Sequence, residues 1–187
     1  MAPFPNKKYN VIYVDPPWTY TDKRTKPGPL GHMAGGAQHH YPTMSIKDIA
    51  ALPVQNIADD PCLLFMWATW PLMPKWNEVI TGWGFKYKTL AFEWIKTSKR
   101  GKPRMGAGAY TRSNCEPLLL AVRGKAAALI KRHNIVNVIL HERTVHSVKP
   151  AIFRDLIVDL VGDLPRIELF ARSSADGWDV WGNEVDG

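Results

Sequence analysis

The chain has 187 residues, 45% of them apolar, which is enough for one well-packed domain and too few for two ordinary ones. Its 24 basic and 17 acidic residues leave a formal charge of +7, and its two cysteines exclude a disulfide framework or a four-cysteine zinc site. The charge favours a polyanionic partner, the cysteine usage a reducing compartment; residues 1–10 lack an apolar leader core, and no later run has membrane-span length, so a cytoplasmic protein is expected.

The run Val11-Ile12-Tyr13-Val14 is β-branched and aromatic, which predicts a buried strand. It stops at Asp15-Pro16-Pro17-Trp18, where two prolines lack the donors that would continue a ladder. Such a loop reads as a stiff, acceptor-rich cup walled by an indole. A flat ring bearing an amine, such as a nucleobase, matches it: the amine donates to the Asp15 carboxylate and the Pro16 carbonyl, and the ring stacks on Trp18. The plain alternative is a strand followed by a proline turn.

Residues 20–40 combine glycines, prolines and three cations without an apolar period, predicting a long mobile loop. Ser45 is placed to cap a short helix ending near Leu52, with Asp48 in its first turn. Cys62 to Trp67 is a continuous apolar run, as in a strand covered on both faces. Met73 to Thr81 reads as a helix closed by Gly82 or Gly84, and Thr89 to Ile95 as a third strand. The following segment, Lys96 to Arg112, carries six cations (Lys96, Lys99, Arg100, Lys102, Arg104, Arg112) and no acid, so it alone nearly equals the whole charge excess. It is a candidate polyanion grip; a solubilising loop is the alternative. Leu118 to Val122 is a fourth strand, joined to the third in a way that allows antiparallel pairing, and Val136 to Leu140 a fifth.

Pro150 opens the clearest helix, with Ile152, Phe153, Leu156, Ile157, Leu160 and Val161 at helical spacing and Gly162 as its cap. A strand from Arg166 to Ala171, then Arg172-Ser173-Ser174, then a last piece from Trp178 to Asn183, complete the chain. Strands interleaved with helices predict an α/β domain whose mainly parallel sheet is flanked by helices, with ligands at the carboxyl ends of the strands. If the first strand and the Arg166 strand are parallel, Asp15-Trp18 and Arg172-Ser174 share one edge. Of the eight tryptophans, Trp67 and Trp94 fit the core, and Trp18 is the exception because it follows the acid. His32, His39 and His40 fit no common ligand spacing, so no metal site is expected.

Several stretches occur in order: Asp15-Pro16-Pro17-Trp18, Tyr41-Pro42-Thr43-Met44-Ser45, Leu64-Phe65-Met66-Trp67, Trp83-Gly84-Phe85 and Trp94-Ile95-Lys96-Thr97. Glu116, Arg123-Gly124, His146-Ser147-Val148-Lys149-Pro150, Ile167-Glu168-Leu169-Phe170-Ala171-Arg172 and Gly182-Asn183 continue the series. This ordered set resembles the adenine-N6 methyltransferases related to the seventy-kilodalton subunit of the messenger-RNA adenine methyltransferase, over nearly the whole chain. The sequence departs from the family pattern at Ala171, where Gly is frequent, at Ser173-Ser174, where His-Asn is frequent, and at Glu184, where Gln is usual.

The resemblance implies a Rossmann-like S-adenosylmethionine-dependent fold, with the catalytic motif preceding the cofactor motif and S-adenosylhomocysteine as product. It implies a catalytic role for Asp15, Pro16, Pro17 and Trp18, and cofactor contacts from Asp15, Lys149, Pro150, Glu168, Phe170, Arg172, Asn183 and Glu184. Lys149 stands where a cation meets the cofactor carboxylate. Tyr41 stands beside the base, and Glu116 either borders it or forms a structural ion pair; the cations Lys96, Arg100, Lys102, Arg104 and Arg112, by their charge, are expected to grip phosphates of a single-stranded or flipped-out substrate. The expected reaction is methyl transfer to the N6 amine of adenine in DNA. Alternatives are the same reaction on RNA and a non-catalytic nucleic-acid-binding partner, which the intact acidic tetrapeptide disfavours. Family analogy adds a homodimer as an expectation.

Overall fold

The structure is a computed structural model that describes residues 3–19, 43–73, 75–106, 108, 110–144 and 148–183. The predicted 20–40 loop, Tyr41, Glu184 and the histidines 32, 39, 40 and 146 lie outside the described residues. The apolar opening run forms β1 (Tyr9–Val14), whose side chains alternate between two cores as a pleated strand requires. Ile12 and Val14 enter one core, Val11 and Tyr13 the other.

Seven strands form one sheet. β2 (Ala58–Trp67), β3 (Lys86–Thr97), β4 (Cys115–Arg123), β5 (Val138–Glu142), β6 (Arg166–Leu169) and β7 (Asp179–Trp181) join β1 in the order β5-β3-β4-β2-β1-β6-β7. β1 pairs in parallel with β2 and β6, β3 with β5, and β6 with β7, while β4 runs antiparallel between β2 and β3. This is the expected mainly parallel α/β sheet. The reversal has a local cause: the chain returns from β3 to β4 through the basic loop without the helix a parallel crossover needs.

α1 (Ile46–Ala50) and α2 (Trp76–Gly82) cover one face through Ile49, Val79 and Ile80. Ser45 caps α1 as expected, its hydroxyl accepting from the Asp48 amide at 3.2 Å. α3 (Ile152–Val161) covers the other face, and its periodic residues Phe153, Ile157 and Val161 are buried against Trp67, Phe92 and Trp94. Truncating a fully buried ring such as Phe153 to alanine costs roughly 3–5 kcal/mol.

Most element boundaries differ from expectation by a few residues: β2 begins at Ala58 and β4 at Cys115, earlier than the apolar runs, α2 begins at Trp76, later than Met73, and three further cases bear on the site or its surroundings. β3 is longer than the Thr89–Ile95 run because register irregularities at Tyr87/Thr89 and Leu90/Phe92 let it continue past the points where a regular ladder would fail. β5 begins two residues late, leaving Val136 outside it and 71% exposed. β6 ends at Leu169 instead of Ala171 because Phe170 has φ +57°, a left-handed conformation that breaks the ladder and is strained for a bulky side chain.

Candidate active site

The sheet gathers the chemistry at one edge. Val14 is in register with Leu169, so Asp15 and Phe170 are the next residues on two adjacent parallel strands. The predicted shared edge is therefore observed. Because β4 is antiparallel, its first residues reach that same edge: Trp67 at the end of β2 faces Leu118, and Trp94 faces Glu116. Antiparallel pairing thus carries Glu116 to the neighbourhood of Asp15 from more than a hundred residues away in sequence.

Four charged side chains form a chain there. Lys149 Nζ donates to Asp15 Oδ2 at 2.6 Å and lies 3.5 Å from Glu116 Oε2, and Lys96 closes the row with an ion pair to Glu116 Oε1. The Lys149 ammonium sits 5.3 Å from the centre of the Trp67 ring, whose indole N–H donates to the Tyr13 hydroxyl at 2.6 Å. Burial pushes the Asp15 carboxyl above its ordinary range, opposed by Lys149. Burial also acts upward on Glu116, but Lys149 and Lys96 outweigh it and hold that carboxyl below its ordinary range. Lys149 is held protonated by the two carboxylates, which overcome the cost of burying its charge.

Behind this row lies a cavity lined by two acids, Asp15 and Glu168, and three cations, Lys149, Arg154 and Arg172. Glu168 is 8% exposed, and Arg154 of α3 donates to its Oε2 at 2.5 Å. Burial raises the Glu168 carboxyl, with Arg154 opposing. The left-handed turn at Phe170 sets its ring 5.4 Å from Trp181 and lets the Ala171 amide donate to the Trp181 carbonyl at 3.1 Å. Here the two loops nearly touch: a Cβ on Gly182 would stand 2.5 Å from the Ala171 oxygen, so the position requires glycine.

The tetrapeptide differs from the open cup in two respects. Trp18 is 3% exposed and packs in the core with its indole N–H on the Trp67 carbonyl at 3.1 Å, because a buried indole donor needs a partner and β2 ends beside it. It is therefore not an open aromatic wall. The proline carbonyls also meet amides: Trp18 N–H donates to Pro16 O and Met44 N–H to Pro17 O, each at 2.8 Å. Each carbonyl keeps a second lone pair.

The structure brings Asp15, Lys149, Glu116, Lys96, Glu168, Phe170 and Arg172 to one edge. Pro150 is buried, and its carbonyl accepts from the Phe153 amide at the start of α3; Asn183 follows Gly182 beyond β7 and is exposed. Arg100, Lys102, Arg104 and Arg112 are all exposed in the basic loop. Arg154 and Tyr13 are additions that sequence reasoning missed. Among the described residues no group of three or more His, Cys, Asp or Glu could hold a metal ion, and no helix is long and apolar enough to cross a membrane.

An acidic strand end beside the left-handed turn at Phe170, on one edge of a mainly parallel sheet flanked by helices, fits a Rossmann-like α/β fold. The chain belongs to the MT-A70 family, whose model matches residues 9–184. It is 39% identical over 193 residues to the type II methyltransferase M.MunI of Mycoplasma sp, covering 97% of this chain and 79% of that protein. It is 29% identical to the N(6)-adenine-specific methyltransferase METTL4 of Homo sapiens over 96% of this chain and 38% of that one. With the N6-methyladenosine RNA methyltransferase MTA1 of Pyricularia oryzae it shares 27% identity over 95% of this chain and 47% of the relative. Family membership with the acidic tetrapeptide intact makes the chain an adenine-N6 methyltransferase.

Proposed function

We propose that this methyltransferase acts on adenine in DNA and takes its methyl group from S-adenosylmethionine. The observation that carries the proposal is the placement of Asp15 beside the Phe170–Arg172 loop, with Lys149 paired to Asp15 and lining the same cavity. The residues suit such a cofactor: a zwitterionic amino-acid tail needs a cation and an acid, as Lys149 and Asp15 offer, and a ribose diol needs a buried acceptor, as Glu168 offers. Phe170 supplies an apolar surface, and Arg172, Asn183 and Glu184 complete the proposed set. S-adenosylmethionine, when bound, supplies an electrophilic methyl group on a sulfonium.

The protein's own part is to present the adenine amine. That nitrogen's lone pair is delocalised into the ring, so it becomes a nucleophile when two acceptors hold its hydrogens and let it pyramidalise. Asp15 is one acceptor, and the second lone pair of the Pro16 carbonyl is the other. Trp18 acts as a positioning residue: its buried indole fixes the proline loop against the end of β2. Glu116 and Tyr41 border the base, and Lys96, Arg100, Lys102, Arg104 and Arg112 hold the backbone. DNA is favoured because the type II methyltransferase M.MunI is 39% identical to this chain and covered over 79% of its length, against 27% identity and 47% coverage for the N6-methyladenosine RNA methyltransferase MTA1 of Pyricularia oryzae.

The test supplies methyl-labelled S-adenosylmethionine with DNA and RNA oligonucleotides of one sequence, single- and double-stranded, and identifies the methylated nucleoside. N6-methyldeoxyadenosine is the expected product. Label only in RNA moves the substrate to RNA, and no label in either polymer refutes the proposal.

A further inference from the structure

A second cavity, about 200 Å³, opens beside the catalytic edge. Lys96, Arg104 and Arg143 line it together with Ser113, Asn114 and Gly106, and it has no acid among its lining residues. Its walls come from three elements. β3 contributes Lys96, the basic loop contributes Arg104, and the residue after β5 contributes Arg143, whose amide donates to the Thr97 carbonyl at 3.2 Å.

The cavity is built by backbone pairing. The Arg104 amide donates to the Lys96 carbonyl and the Lys96 amide to the Asn114 carbonyl, each at 2.8 Å, so both arms of the loop are tied to the end of β3. Gly106 lets the arms meet: a Cβ there would lie 1.6 Å from the Ser113 oxygen. Arg104 and Arg143 are exposed, whereas Lys96 is turned inward to its ion pair with Glu116. From there the row Lys96, Glu116, Lys149 and Asp15 leads directly to the catalytic acid.

We infer that this cavity is the seat of one phosphodiester flanking the methylated adenine, held by Arg104 and Arg143 with the Ser113 and Asn114 side chains as added donors. The inference rests on the nucleic-acid reading above and adds to it a position and a residue, Arg143, outside the basic loop. A guanidinium pair matches the geometry of a phosphodiester, since each presents a planar fork of donors to its oxygens. Occupying the seat brings an anion next to Lys96 and so couples backbone binding to the Glu116–Lys149–Asp15 row.

The experiment uses single-stranded oligonucleotides with one adenine, in which the phosphodiester on its 5′ or its 3′ side is replaced by an uncharged methylphosphonate. For the wild type, one of the two replacements raises KM about tenfold, the size of one lost charge-assisted contact. The Arg104→Gln/Arg143→Gln variant, which alters only exposed side chains, has a raised KM on the unmodified strand and no longer distinguishes that methylphosphonate. Its salt dependence of binding falls by about 0.7 in slope, the value for one phosphate on a single strand. Lys47→Gln, an exposed cation on α1, retains both the discrimination and the slope. Equal use of both methylphosphonates by the wild type, or full discrimination by the double variant, overturns the seat while leaving adenine methylation intact. Absence of methylation in unmodified DNA and RNA alike, single- or double-stranded, instead overturns the nucleic-acid reading and the seat with it.

Discussion

Replacing Lys149 with methionine tests the charged row most sharply. Methionine keeps an apolar stem over the Trp67 ring and removes the ammonium, so the change is electrostatic rather than a loss of packing. The pair it breaks is mostly buried, with 16% of the Lys149 side chain and 25% of the Asp15 side chain exposed. Breaking a buried pair on one side costs about 3–5 kcal/mol, and the residual exposure of Asp15 places this case near the lower limit, about 3 kcal/mol. For a chain of this size each kcal/mol lowers Tm by about 2–4 °C, giving a fall of about 6–12 °C at neutral pH. Lys96 still neutralises Glu116, so the cost falls chiefly on Asp15.

The sign of the pH dependence follows from Asp15. Without its cation, burial drives the folded-state pKa still further above the unfolded value, so ionised Asp15 opposes folding at high pH and protonated Asp15 does not. The gap in Tm between wild type and Lys149→Met is therefore widest in mild alkali and narrows as the pH falls through the Asp15 titration. Circular dichroism melts from roughly pH 5 to pH 8 measure it. A Tm equal to wild type at the upper end, or a gap that is constant across the range, refutes the assigned role of Lys149.

Other outcomes follow from the same contacts. Glu116→Gln lowers stability at neutral pH, because Glu116 titrates below its ordinary range when folded; the difference closes only as acid protonates the wild-type carboxyl, and a gap independent of pH would contradict this. Arg154→Met leaves Glu168 buried without its donor and costs about 3 kcal/mol by urea denaturation. Adding Glu168→Gln in that background recovers part of the loss, whereas no recovery would mean the pair is not what matters. Gly182→Ala forces the Ala171 carbonyl to move, costing about 1–3 kcal/mol, and weakens S-adenosylmethionine binding by calorimetry; unchanged affinity would remove that loop from the cofactor seat.

The sheet and its functional edge could be read from the chain because periodicity and punctuation are local. Val11–Val14 stopping at two prolines, and Arg166–Ala171 followed by Arg172-Ser173-Ser174, identify two strand ends without knowledge of their neighbours, the second displaced by two residues because of the left-handed turn at Phe170. Other features depended on pairing. Glu116 meets Lys149 only because β4 is antiparallel, and Arg143 joins the basic loop only because β5 lies against β3. Trp18 shows the converse case. Its position after an acid suggested an exposed wall, but an indole donor with a carbonyl available at the end of β2 is more stable inside. The competition of backbone amides for the proline carbonyls was likewise invisible, since Met44 reaches Pro17 from beyond the 20–40 segment.

The central claim is that the Asp15 carboxylate holds the adenine amine for methyl transfer. Single-turnover methylation of a DNA oligonucleotide by wild type and Asp15→Asn, with S-adenosylmethionine affinity and Tm measured alongside, tests it most directly. Asparagine keeps the size of the side chain but replaces one acceptor with a donor, so the rate falls by about 10²–10³, as when one transition-state hydrogen bond is removed, in a protein that still folds and binds cofactor. The wild-type rate also declines on the acid side at a pH above the ordinary aspartate range, following the raised carboxyl. A variant rate within about threefold of wild type would contradict the claim.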